Sequence, residues 1–342
     1  MKDRDDCGYK RAEIIPPQKK SQCSLCPQLS ETKSVQDVKR LVAATFPNRK
    51  VATTELLSGG LINTNLKICF ESDYSPVVLR LYRGGPAACE KEIAVHNLIR
   101  RHVPVPEILH AESKRAFAFL EYIEGITFQQ LKRTRDLKAI QQASASIGQT
   151  LAAIGEFRFS APGTLMAREA SLVVGKKFIE GPDPIPRILD RFLASTAFQR
   201  RAGTKLIDQL HNFVWSYAPI LPSLQTDCSL VHNDFGNRNI LVREVNGVWA
   251  VAAILDWELA FSGSPLLDVG HFLRYELDAT PLREPHFSRA FVEHGGHLPD
   301  NWKSIVKLID LTGIVECLTH DELPGDVEAE LFALINTTLS MG

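Results

Sequence analysis

A carboxylate, an amide and a second carboxylate are spaced along this chain in a way that suits phosphoryl transfer. Residues 230–241 read Leu-Val-His-Asn-Asp-Phe-Gly-Asn-Arg-Asn-Ile-Leu: an apolar strand end, a polar loop and the start of a second apolar strand. The loop carries His232, Asp234 and, five positions on, Asn239. A further apolar run from Val248 to Leu255 ends in Asp256. In phosphoryl transfer one carboxylate orients the attacking hydroxyl and accepts its proton, while an amide oxygen and a second carboxylate hold Mg²⁺ against the nucleotide phosphates. Mg²⁺ takes hard oxygen ligands and usually one or two protein carboxylates. Asp234 is the candidate base, contributing roughly 10²–10⁴-fold if so placed. Asn239 and Asp256 are the candidate metal ligands, and ATP or GTP the co-substrate. A His-x-Asp alone is an ordinary turn, because Asn and Asp bond their own backbone. The full set, with strands on both sides, carries the reading, and His232 is read as a brace rather than a reacting group.

With those residues in view, His232 to Leu241 followed by Asp256-Trp257-Glu258 resembles the aminoglycoside phosphotransferase and choline kinase-like family. These are small-molecule kinases with a fold related to that of protein kinases. Ser264-Pro265-Leu266-Leu267-Asp268 extends the likeness. The resemblance implies that Asp268 braces the catalytic loop by accepting backbone N–H bonds. The element order, strands with one helix and then helices with a small strand insert, fits the same α+β architecture: a protein kinase-like bilobal fold with a small β-rich N-lobe and a larger helical C-lobe.

The elements that must position these groups are legible in order. Residues 1–34 are mixed polar with few apolar pairs and read as a flexible extension. Residues 35–123 read as the nucleotide-binding lobe. A short amphipathic helix spans Val35–Phe46, and strands are predicted over Val51–Leu57 and Leu66–Phe70. Ser58-Gly59-Gly60 interrupts them, and Ser58 through Asn63 resembles the family's phosphate-covering loop; glycine lets backbone N–H groups approach an anion. No G-K-[ST] follows, so this is not a P-loop. A third strand, Val77–Tyr82, carries Arg80 where the family places a cation on the α- and β-phosphates, with Lys67 as the alternative; Arg is not a neutral replacement for Lys. A helix over Ala87–Arg101 offers Glu92, or else Glu90, as the partner of that cation. The strand Phe117–Ile123 leads into Glu124-Gly125, which looks like the family's hinge. The backbone of Glu121 to Ile123 would then face the base.

Residues 124–342 read as the helical lobe with the catalytic loop and the substrate site. Helices are predicted over 139–157, 205–217, 265–277, 285–295, 302–319 and 326–339, with 158–186 irregular.

Composition narrows the class. The 342 residues hold 44% hydrophobic and 23% charged side chains at net charge −1. That is ordinary for a globular protein, and it supplies no global field for nucleic acid or an anionic membrane. The N-terminus is charged and lacks an apolar signal core, so the reading is cytoplasmic. The seven cysteines read as reduced thiols, and Cys23-x-x-Cys26 lacks the further ligands that a zinc site needs. Residues 257–267, 11 in all, separate Asp256 from Asp268. A protein kinase inserts a longer peptide platform there, so a small-molecule hydroxyl acceptor is expected. Aminoglycosides, choline-like amines, amino alcohols, sugars and nucleosides are its classes, with Asp321, Glu322, Asp326, Glu328, Glu330, Glu258 and Glu276 as the acids that a cationic one would want. The alternative is a catalytically weak, nucleotide-binding pseudokinase acting through protein partners; Arg80 in place of Lys is the feature that favours it.

Overall fold

The strands expected in the first third of the chain belong to one sheet, with buried apolar clusters on both of its faces. This computed structural model describes residues 34–57, 63–169, 171–176, 184–221, 227–276, 280–321, 323 and 325–340. Residues 1–33 of the predicted extension, the Cys23/Cys26 pair, Glu322, and Ser58, Gly59 and Gly60 of the predicted phosphate loop lie outside the described residues. Helix α1 (Ser34–Thr45) is followed by β1 (Val51–Leu56), β2 (Thr64–Phe70), β3 (Val77–Leu81), α2 (Gly85–Ile99), β4 (Ile108–Glu112) and β5 (Phe117–Glu121). The strands form an antiparallel sheet in the order β1-β2-β3-β5-β4.

Register decides which side chains share a face. Leu79 lies opposite Leu66 and Phe119, and Arg80 opposite Asn65 and Ala118. Leu79, Phe119, Ile68 and Phe70 pack with Val38, Leu41 and Val42 of α1 in one buried cluster. Those α1 positions fall at i, i+3 and i+4, one helical stripe. Each fully buried side chain of this kind contributes about 1.5–3 kcal/mol. Arg80 belongs to the opposite face, which meets α2.

The remainder is mainly helical. It comprises β6 (Ile126–Thr127), α3 (Phe128–Thr134), α4 (Leu137–Gly155), β7 (Gly163–Arg168), β8 (Ser171–Val174), α5 (Pro184–Leu193), α6 (Thr196–Ser216), β9 (Ser229–Val231), β10 (Ile240–Val245), β11 (Val248–Ile254), β12 (Phe261–Gly263), α7 (Leu266–Leu273), α8 (His286–Glu293), α9 (Trp302–Cys317) and α10 (Gly325–Leu339). Thr127 and Gln130 start α3 with a capping box, and Asp136 caps α4. Ile140, Ile147, Leu151 and Ile154 of α4 enter a core with Phe128, Phe235, Trp257, Phe272 and Phe287. The chain crosses between the two parts at Gly125. A Cβ there would sit 2.8 Å from the Val242 carbonyl oxygen of β10, so only glycine allows the crossing to lie against that strand. The β-rich first part and helical second part are those expected.

Several elements differ from the sequence reading. Residues 158–186 are not irregular throughout: β7, β8 and the start of α5 lie there. Strand β7 finds its partner in β12, with Phe261 opposite Thr164, to give a sheet ordered β8-β7-β12-β9. Short strands paired so far along the chain leave little local signature. The helix expected over 205–217 is the second part of α6; a first part from Thr196 precedes it, and the two meet at Gly203, whose φ of 70° breaks the helical path. Strands β4, β6 and β12 were likewise not predicted; each has at most five residues.

Candidate active site

The polar loop joins β9 to β10, and Asp256 follows β11. Strands β10 and β11 are antiparallel with Ile240 opposite Ile254, and the Leu255 N–H donates to the Asn239 carbonyl at 2.8 Å. The start of one strand therefore adjoins the end of the other, which brings Asn239 and Asp256 to the same mouth. Asn239 Nδ2 donates to the Asp234 carbonyl at 2.9 Å and to Asp234 Oδ2 at 2.8 Å. Asn233 and Asp256 have φ of 67° and 71°, a left-handed conformation that Asn and Asp tolerate better than other side chains.

The loop's shape is held from beneath. Asp268, fully buried in the first turn of α7, accepts the backbone N–H groups of His232 at 2.7 Å and Asn233 at 2.9 Å. His232 Nε2 bonds the Leu255 carbonyl at 2.8 Å, and its Nδ1 receives the Asp234 N–H at 3.1 Å. Those partners define the tautomer with the proton on Nε2. His232 thus ties the loop to the strand end that carries Asp256. Arg238 donates to Gln129 Oε1 at 3.1 Å, so α3 supports the far side of the loop.

Arg80 approaches from the sheet. Its Nε lies 3.0 Å from Glu92 Oε2 and its Nη2 2.5 Å from Asp256 Oδ1, with all three groups buried. Glu90 is exposed on the same helix, so of the two candidate partners α2 turns Glu92 inward. Lys67 places its Nζ 3.9 Å from the centre of the Tyr122 ring, beside the segment that follows β5. Burial alone would raise the Glu92 carboxyl; Arg80, with His96 one helical turn on, outweighs burial and holds it below its ordinary value. Burial alone would likewise favour a neutral Arg80, but Glu92 and Asp256 keep it firmly charged. Asn63 is buried and accepts the Arg83 N–H at 3.1 Å. Glu121 ends β5, exposed; its N–H bonds the Glu107 carbonyl and its carboxylate the Glu107 N–H. Ile123 is half-buried just beyond it.

A Mg²⁺ ion fits this donor set. Asn239 and Asp256 offer oxygen ligands at adjoining strand ends, and phosphate oxygens complete such a shell. Among the described residues no cluster of three or more His, Cys, Asp and Glu forms a metal cage, and none is needed for an ion of this type.

One neighbour of the site escaped the sequence reading. His271 Nε2 stands 3.8 Å from Asp234 Oδ1, with both side chains only partly exposed. Its signal was available: it follows Asp268 by three residues on α7, and such pairs share a helix face.

Residues 53–304 match the model of the phosphotransferase enzyme family, and the chain belongs to that family. The crystal structure of aminoglycoside phosphotransferase APH(4)-Ia superimposes with a TM-score of 0.65 at 19% identity, over 90% of this chain and 99% of that one. Choline kinase LicA from Streptococcus pneumoniae gives 0.61 at 15%, over 91% and 100%. The GDP and kanamycin complex of APH(2")-IIIa gives 0.62 at 16%, over 90% and 99%. These likenesses establish the bilobal, protein kinase-like fold. The Arabidopsis thaliana protein named "Probable acyl-CoA dehydrogenase IBR3" is 24% identical over 238 residues, 65% of this chain and 27% of that protein. The chain thus matches about a quarter of that relative's length. No described helix is long and apolar enough to cross a membrane.

Proposed function

We propose that this protein is a small-molecule kinase that moves the γ-phosphate of ATP or GTP to a hydroxyl group. The convergence of Asp234, Asn239 and Asp256 at one mouth carries this reading, with Asn239 Nδ2 on Asp234 Oδ2 at 2.8 Å. Asp234 orients the acceptor hydroxyl and takes its proton. Asn239 and Asp256 hold Mg²⁺, which when bound neutralises phosphate charge. Arg80, kept in place by Glu92, serves the α- and β-phosphates; nucleotide binding exchanges its contact with Asp256 for one with phosphate. Ser58, Gly59, Gly60 and Asn63 cover the phosphates, and the backbone of Glu121 to Ile123 receives the base. Residues 35–123 act as the nucleotide lobe and 124–342 as the acceptor lobe, in the cytoplasm.

Several of the acids that a cationic acceptor would want already have partners or are buried. Asp321 pairs with Arg200, Glu328 with Arg201 and Glu276 with Arg283, while Glu258 is buried. Neutral sugars, singly charged amino alcohols and aminoglycosides therefore all belong in the screen. The name of the Arabidopsis relative adds hydroxylated acyl-CoA to the compounds worth screening.

The test is a mass-spectrometric screen with MgATP and MgGTP against pools of these acceptors, with Asp234→Asn as control. A phosphate-sized mass gain that the control lacks is the expected result. A control that transfers as well as the parent would remove Asp234 from its role. The second reading, a pseudokinase, draws on the Arg80–Asp256 contact, which in that case stays closed. Failure of the parent to transfer to any pool while it still binds nucleotide would favour it.

A further inference from the structure

Helix α7 presents two side chains to the catalytic loop from one face. Asp268 grips the backbone of His232 and Asn233. One turn later, His271 reaches the carboxylate of Asp234 itself. The two oxygens of Asp234 have different surroundings: Oδ2 takes the amide of Asn239 at 2.8 Å, and Oδ1 faces His271 Nε2 at 3.8 Å. That gap exceeds hydrogen-bond length. It is short enough for one hydroxyl oxygen to lie within bonding distance of both atoms at once. The ring also lies over Gly236, 3.5 Å from where a Cβ would stand, so the loop adds no side chain of its own at that point.

We propose that His271 is a second acceptor-binding residue, which holds the attacking hydroxyl jointly with Asp234. This rests on the kinase reading given above. The hydroxyl donates its proton to Asp234 Oδ1, and one of its lone pairs accepts the N–H of His271 Nε2. With the carbon bond, the donated proton and the accepted bond all fixed, only the second lone pair is left to point at phosphorus. In the transfer itself the new bond joins the acceptor oxygen to Pγ. The bond from Pγ to the bridging oxygen breaks and leaves the nucleoside diphosphate. The acceptor proton goes to Asp234, and His271 keeps its own. Orientation of this sort is where a small misplacement costs on the order of 100-fold in rate.

The test compares the full-length parent with His271→Leu and His271→Gln; a glutamine amide donates from about where Nε2 lies. Slow MgATP hydrolysis, in which water is the acceptor, is measured beside transfer to any compound the screen identifies. MgATP affinity and thermal melting are measured on the same samples. His271→Leu is expected to lower kcat on the order of 100-fold with MgATP affinity unchanged, and His271→Gln to recover part of the loss. Parental kcat in His271→Leu overturns the proposal and leaves the kinase reading standing. Equal losses in both variants, accompanied by lower melting temperatures, make His271 a packing residue and also overturn it. A parent that neither hydrolyses MgATP nor transfers its phosphate defeats the kinase reading and this inference with it.

Discussion

Arg80 shows how much one buried cation can organise. It bridges Glu92 of α2 and Asp256 beyond β11, so the sheet, the helix and the strand that ends at Asp256 share one charge cluster. Arg80→Met would leave two carboxylates buried and facing each other. Breaking a buried pair in this way costs about 3–5 kcal/mol, and the urea midpoint should fall accordingly; an unchanged midpoint would show that the cluster contributes no stability. Acid should act on the same residues. Glu92 is held below the ordinary carboxylate value of 4.5, and so is Glu276, where burial raises the carboxyl but Arg283 and backbone N–H groups outweigh it. A carboxyl lowered on folding stabilises the fold fully above its unfolded value and loses that contribution as pH falls through the folded one. Stability should therefore be level above pH 4.5 with respect to these groups and decline below it. Denaturation midpoints followed down the acid side should show the decline, less steeply in Glu276→Gln.

At the scale of elements, α7 is the part on which the proposed catalytic loop rests. Its Asp268 satisfies two buried backbone donors, and Gly270 packs so closely on α9 that a Cβ would sit 2.7 Å from the Val306 carbonyl oxygen. Asp268→Asn can accept only one of those bonds well and leaves a buried N–H unsatisfied, at a cost of about 1–3 kcal/mol. Gly270→Ala must push the helices apart, at about 1–3 kcal/mol. Both changes should also lower phosphate transfer: Asp268→Asn loosens the loop that carries Asp234, and Gly270→Ala moves Asp268 and His271 with the helix. A Gly270→Ala protein as stable and as active as the parent would mean that the helix contact tolerates the extra methyl. Buried Cys89 on α2 belongs to structure rather than chemistry: burial first, then Glu92 and Glu90, push its thiol up to about 12. It should resist alkylation in the native state at neutral pH.

For the whole molecule, the proposed nucleotide site lies between the sheet that carries Arg80 and the strands that carry Asn239 and Asp256. Ligand bound only by the folded state stabilises it by about 2.7 kcal/mol at a hundred times its Kd. MgATP should raise the melting temperature, ATP with EDTA should do so less, and Asp256→Ala should narrow the difference between them. Equal shifts with and without metal would count against Asp256 as a ligand. The sequence alone was enough to determine the loop from His232 to Asn239, the Asp256 strand, the family likeness and most of the helices. Each of these is written in neighbouring residues, as spacing or as apolar period, and such patterns survive without knowledge of what lies across the core. Only the tertiary structure decided that Glu92 and not Glu90 meets Arg80, that β7 has β12 as its partner, and that His271 stands beside Asp234. Those outcomes depend on which face a helix buries and on pairings between distant segments. They are set by how the whole chain packs, and no local window of sequence contains them.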